Sequence, residues 1–253
     1  MNRLELLRAA AAGAVFSATG VSGAPTEALA VGSSAYPRLK PPESGPVLVA
    51  IVMGADAVVI DFAGPWEVFE GATFMGMPMM KGSQPPGMPW PKNQGFELVM
   101  VSNSVEPLKC EGMTITPQYS FETFPHQPNV IVIPQQGDAN SAKLAWIRQA
   151  SNKADVVMFV CTGAFLLAKT GLLDGLSATT HHEAYDQFIR EFPSIHLEPD
   201  VRFVDNGKFA SSGGLFFGIE LALHIVARYY GEDLARATAY WMEYNRSDRR
   251  PLS

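Results

Sequence analysis

The chain has 253 residues, of which 47% are hydrophobic and 17% charged, and its net charge is −6. That is enough for one sizeable α/β domain or two small ones, with ample apolar material for a core. No run of five or six basic residues occurs, which argues against a nucleic-acid surface. No stretch reaches about 18 unbroken apolar residues, so no ordinary transmembrane helix is expected.

Residues 1–30 differ from the rest. Arg3 and Arg8 precede an Ala/Gly/Val-rich run from Ala9 to Gly20, and "ALA" at 28–30 is a small-residue pattern that a signal peptidase accepts. The segment is expected to be an export signal for the periplasm or for secretion. It is similar to the twin-arginine type, with Asn2 where the first arginine would stand. The other reading is a weakly helical or disordered leader, which would leave the chain in the cytoplasm. A Pro/Ser-rich linker over 31–45 then leads to a single domain over 46–253.

Within that domain, "VLVAIVM" (47–53) reads as a buried strand of a parallel sheet. "VVIDFAGPWEVFEGATF" (58–74) reads as a helix with Pro65 in its first turn and Trp66, Phe69 and Phe74 facing inward. "FELVMVS" (96–102), "VIVIP" (130–134) and "VVMFV" (156–160) are further strands, with an amphipathic helix over 140–154. "TGAFLLAKTGLL" reads as the helix after Cys161, "SATTHH" (177–182) as a short strand, and 183–192 as a helix. An Asp-Asn-Gly turn in 201–214 marks a hairpin. Helices follow over 215–231, ended by Gly231, and over 232–244. Strands alternating with helices predict a doubly wound, mostly parallel sheet flanked by helices, a flavodoxin-like three-layer sandwich. The Met/Pro-rich stretch 75–95 interrupts the alternation and is expected to be a long loop or lid.

Cys161 stands where an apolar strand ends and a helix begins. Ligands collect at the carboxyl ends of parallel strands, and a helix start favours a thiolate, so a lowered thiol pKa is expected. The pattern is that of a nucleophile elbow, with Gly163 permitting the tight turn and the Thr162 N–H facing a developing oxyanion. The bland alternative is an inert core cysteine. Cys110 is the second cysteine; a Cys110–Cys161 disulfide and one reactive thiol with a bystander are both compatible with the sequence.

"VCTGAFLLAKTGLLDGLSATTHHEAYDQF", "VVIDFAGPWEVF" and "SSGGLFFGIELALHIV" together resemble the PfpI-type branch of the class I glutamine-amidotransferase-like superfamily, and most closely its isonitrile-hydratase-like group and the amino-terminal domains of related AraC-type regulators. The resemblance spans about residues 46–244. It implies Cys161 as nucleophile, Thr162 as its neighbour in the site, and Asp61 as the acidic residue meeting the thiol. A carboxyl beside a thiol is suited to acid–base work, although Asp61 also reads as a helix N-cap. His181 is implied near the thiol or, equally, is a structural histidine; which of His181 and His182 faces the site stays open. Glu67, His126 and His196 read as exposed, and His224 as a satisfied buried histidine.

Two departures stand out. Thr162 occupies the position where proteolytic relatives carry His, which argues against a peptidase. "PQQGD" replaces the usual Gly-Gly after the central strand, leaving Gln136 and Gly137 as candidates to bind substrate or an oxyanion.

The resemblance implies a cofactor-free hydratase or hydrolase of a small electrophile, such as an isonitrile, and a homodimer. The alternative is a non-enzymatic exported thiol protein acting in stress, sensing or ligand binding. A regulator is disfavoured because only 23 residues follow Tyr230. No spacing suggests a zinc site, and no cofactor is expected. Met75, Met77, Met79, Met80 and Met88 raise Cu(I) binding as a minor possibility beside an apolar lid.

Overall fold

The computed structural model describes residues 38–76, 95–137 and 139–244. The expected leader, linker residues 31–37 and the loop segment 77–94, with all of the clustered methionines but Met75, lie outside the described residues.

Continuous runs of β-branched and apolar residues build the sheet. β1 (Val47–Val52), β2 (Phe96–Ser102), β6 (Val130–Ile133) and β7 (Val156–Val160) carry few polar side chains because both faces are covered. Short strands β3 (Leu108–Cys110), β4 (Met113–Ile115) and β5 (Tyr119–Ser120) come between β2 and β6. β8 (Ser177–Ala178), β9 (His196–Leu197), β10 (Phe203–Asp205) and β11 (Phe209–Ser212) complete the set. The main sheet runs β10-β11-β7-β6-β1-β2-β5, parallel throughout except for the β10–β11 hairpin.

The helices are α1 (Val59–Met75), α2 (Ser141–Ser151), α3 (Gly163–Ala168), α4 (Tyr185–Glu191), α5 (Phe217–Tyr230) and α6 (Glu232–Trp241). Helices α1, α5 and α6 pack with Val49, Ile51, Val132, Met158 and Val160 on one face. The other face, with Ile131, Ile133, Val157 and Phe159, is covered by α2, α3 and α4. The three-layer α/β architecture matches the expectation. Among the described residues no helix is long and apolar enough to cross a membrane.

Several local expectations are corrected. Helix α1 starts at Val59, so Pro65 lies inside it and Asp61 sits in its first turn rather than at the N-cap, which is Val58. The stretch after Cys161 is helical only to Ala168, because Gly171 and Gly175 take positive φ in the turns that follow. Strand β8 ends at Ala178 and pairs with β9 outside the main sheet, so His181 is not a strand terminus. The β3–β4 hairpin was not expected. Part of the expected linker is docked: Leu39 packs on the core, and its N–H donates to the Arg228 carbonyl at 2.8 Å.

Candidate active site

Cys161 follows β7 directly and has φ 57°. A non-glycine residue in this left-handed region costs about 1 kcal/mol, so neighbouring contacts must hold it. They do. The Cys161 N–H is shared between the carbonyls of Ser212 (3.2 Å) and Gly213 (3.1 Å), and the Thr180 hydroxyl donates to the Cys161 carbonyl at 2.9 Å. The turn is therefore made at the cysteine itself. Gly163 serves close approach instead: a Cβ there would overlap the Ile133 carbonyl oxygen and press on that of Pro134.

Asp61 reaches the same place from the first turn of α1. It is fully buried, and its Oδ2 accepts the Gln135 N–H at 3.3 Å. Its Oδ1 is buried with no hydrogen-bond partner. Burial raises the Asp61 pKa from 3.8 to about 7; the Gln135 and Leu215 N–H groups and the Cys161 thiol oppose the rise, and the Glu111 carboxylate adds to it. Burial likewise pushes the Cys161 thiol up to about 12, reinforced by the Asp61 charge and opposed by the N–H and hydroxyl of Thr162. The expected lowering of the thiol pKa is thus reversed. Helix α3 has only six residues, and desolvation outweighs its start. Each group acts on the other's ionisation: the Asp61 charge raises the Cys161 pKa, and the Cys161 thiol holds that of Asp61 down.

The N–H and hydroxyl of Thr162 meet the Cys161 sulfur. His181 makes the contacts expected of the structural reading. Its ring lies on Gly214, where a Cβ would overlap it, and its Nδ1 accepts the Glu183 N–H at 3.3 Å as the cap of the short 3-10 turn 182–184. Gly214 precedes Leu215, so His181 supports the loop whose N–H approaches Asp61. Of the two histidines, His181 is partly buried and His182 exposed, with their rings 4.4 Å apart.

The Gln136 side-chain amide and the Gly137 N–H are engaged within the loop. The Gln136 amide donates to the Val52 carbonyl at 2.9 Å and the Pro134 carbonyl at 3.3 Å, and accepts from the fully buried Lys143 at 2.6 Å. The Gly137 N–H donates to the Ala55 carbonyl at 3.2 Å. These residues brace the loop after β6, and Gln135, through its main chain, is the member that contacts the acid. Sequence reasoning missed Gln135, Leu215, Glu111 and Lys143. Only the "EG" turn at 111–112 left a signal, weaker than Asn-Gly.

Both cysteines are free thiols, and Cys110 lies against the Gly54 carbonyl at 3.7 Å. Among the described residues no group of three or more His, Cys, Asp or Glu is placed to hold a metal ion. Glu67, His126 and His196 are exposed, and His224 meets Asp205 at 2.8 Å, as read from the sequence.

The chain has relatives among known proteins. The chain is 31% identical over 153 residues to an isonitrile hydratase from Pseudomonas putida, covering 58% of this chain and 63% of that protein. It is 25% identical over 179 residues to the HTH-type transcriptional regulator GbdR of Pseudomonas aeruginosa, covering 60% of this chain and 48% of the regulator. The chain thus spans about half to two thirds of the length of these curated relatives. A crystal structure of a THiJ/PfpI family protein from Pseudomonas syringae shares the fold, with a TM-score of 0.64 at 22% identity over 85% of this chain and 81% of that one. The DJ-1/PfpI family pattern matches residues 47–228, and the chain belongs to that family.

Proposed function

We propose that this protein is a cysteine-dependent hydratase or hydrolase of a small electrophile, of the isonitrile-hydratase type. The observation that carries the reading is a fully buried carboxyl with an unpartnered oxygen, poised near pH 7, beside a thiol on a strained elbow. A thiol that resists ionisation must lose its proton as it attacks, and Asp61 is the group beside it that takes and returns one.

In the proposed cycle the Cys161 S–H bond breaks as sulfur bonds to the isonitrile carbon. The proton, relayed by Asp61, ends on that carbon, giving the thioimidate R–N=CH–S–Cys161. Water then adds its hydroxyl to the carbon and its proton to nitrogen. The C–S bond breaks, sulfur recovers the hydroxyl proton, and R–NH–CHO leaves.

The test is formamide production by the full chain from a panel of small isonitriles, followed by NMR, with Cys161→Ala and Asp61→Asn as controls. Turnover lost in both variants supports the reading; no wild-type turnover of any isonitrile or related electrophile overturns it. One observation favours a second reading, a thiol-based sensor or ligand-binding protein. The Gln136 side-chain amide and the Gly137 N–H are committed to the loop itself, which takes these two donors away from an oxyanion. Stable binding or a lasting thiol adduct without turnover would select it.

A further inference from the structure

The β3–β4 hairpin turns through Glu111 (φ 46°) and Gly112 (φ 87°), with Cys110 paired to Met113. Two successive positive φ angles suit Asn-Gly or Asp-Gly; glutamate at the first position is disfavoured. A residue kept in a poor conformation invites the question of what its side chain does. Here the Glu111 carboxylate leaves the hairpin and accepts the Val59 N–H at 2.9 Å. That N–H is the first of α1, whose own N-cap, Val58, offers no side-chain acceptor. The hairpin is docked onto the preceding loop as well, through the Asp56 N–H to the Lys109 carbonyl at 2.8 Å and the Cys110 thiol to the Gly54 carbonyl.

We propose that Glu111 is a positioning residue for Asp61, capping from outside the helix turn that carries it and presenting a fixed negative charge to it. The inference rests on the reading of Asp61 as the acid of the site. The cap holds the first turn of α1, and so the Asp61 side chain, against Gln135 and Leu215. The charge makes ionisation of Asp61 harder, in the same direction as burial. The groups acting on Asp61 are then Glu111 from the hairpin, the Cys161 thiol from the elbow, and the Gln135 and Leu215 N–H groups from two loops. Asp56 lies on the loop onto which the hairpin docks and bears on Cys110 together with Glu111.

The test is the titration of the Asp61 carboxyl carbon by NMR in the full chain, in wild type, Glu111→Gln and Glu111→Asn. Glu111→Gln keeps an acceptor for the Val59 N–H and removes the charge; its Asp61 midpoint should fall by about half a pH unit at low salt and by less at high salt. Glu111→Asn eases the turn but is one methylene too short for the cap, so its midpoint should fall while the hairpin is no less stable. An Asp61 midpoint unchanged in Glu111→Gln would overturn the proposal and leave Glu111 a structural cap. The readout needs no substrate, so absence of isonitrile turnover would bear on the function and not on this inference.

Discussion

Two buried aspartates on this fold have opposite surroundings. Asp205, at the end of β10, accepts the Gly207 N–H at 2.6 Å, faces His224 at 2.8 Å and takes Arg228 at 3.2 Å; Arg228 also donates to the Gly207 carbonyl. Opposite charge and several donors converge on one carboxylate, an arrangement that holds a buried charge in place. Asp61 is at least as buried and, among the described residues, has no cation acting on it and keeps one oxygen unpartnered. The first arrangement ties a hairpin to a helix. The second leaves a proton that can move, which is the property acid–base chemistry needs. Burial alone therefore does not mark a functional carboxyl; the partners around it do.

The contrast can be tested from its largest expected effect downward. Cys161→Ala should reduce isonitrile hydration by at least about a thousandfold without unfolding the protein, since covalent catalysis has no substitute nucleophile there. Residual turnover near the wild-type rate would remove Cys161 from the mechanism. Asp205→Ala leaves Arg228 buried without its main partner and should cost roughly 3–5 kcal/mol in urea unfolding. A loss well under about 1 kcal/mol would mean that the cluster contributes little.

Asp61 should instead make stability depend on pH. Its pKa is about 7 in the fold against 3.8 for the ordinary group, so between those values the native state binds a proton that the unfolded state releases. Stability from this group is therefore full below about pH 4 and declines as pH rises toward 7, by roughly 2–4 kcal/mol in total. Asp61→Asn should remove that slope while lowering activity. Equal pH dependence of stability in wild type and variant would show that Asp61 is not perturbed. The smallest effect is expected at Gly163→Ala, where the new methyl meets the Ile133 carbonyl and should cost about 1–3 kcal/mol. If Cys161 alkylates at an unchanged rate in that variant, the elbow does not depend on this close approach.

Much of this was legible in the chain itself. The unbroken apolar runs at 47–52, 130–133 and 156–160 report strands buried on both faces, because polar residues there would have no partner. The Asp-Asn-Gly turn reported the β10–β11 hairpin through its own backbone preference. Cys161 was legible from its position between strand and helix, and Asp61 from the resemblance of its segment. Less was legible where contacts are distant in sequence. Lys143 reads as the exposed face of an amphipathic helix, yet it is fully buried against Gln136. Gln136 and Gly137 read as site donors, yet their groups are used by the loop.

The sequence by itself determined the layers, the order of the main elements and the place of Cys161 at a strand–helix junction, because periodicity and local turn chemistry act over a few residues. Only the tertiary structure decided the protonation of the pair. The thiol, Asp61, the Gln135 and Leu215 donors and the Glu111 charge come from five separate segments, and a pKa is the sum of what surrounds a group in space.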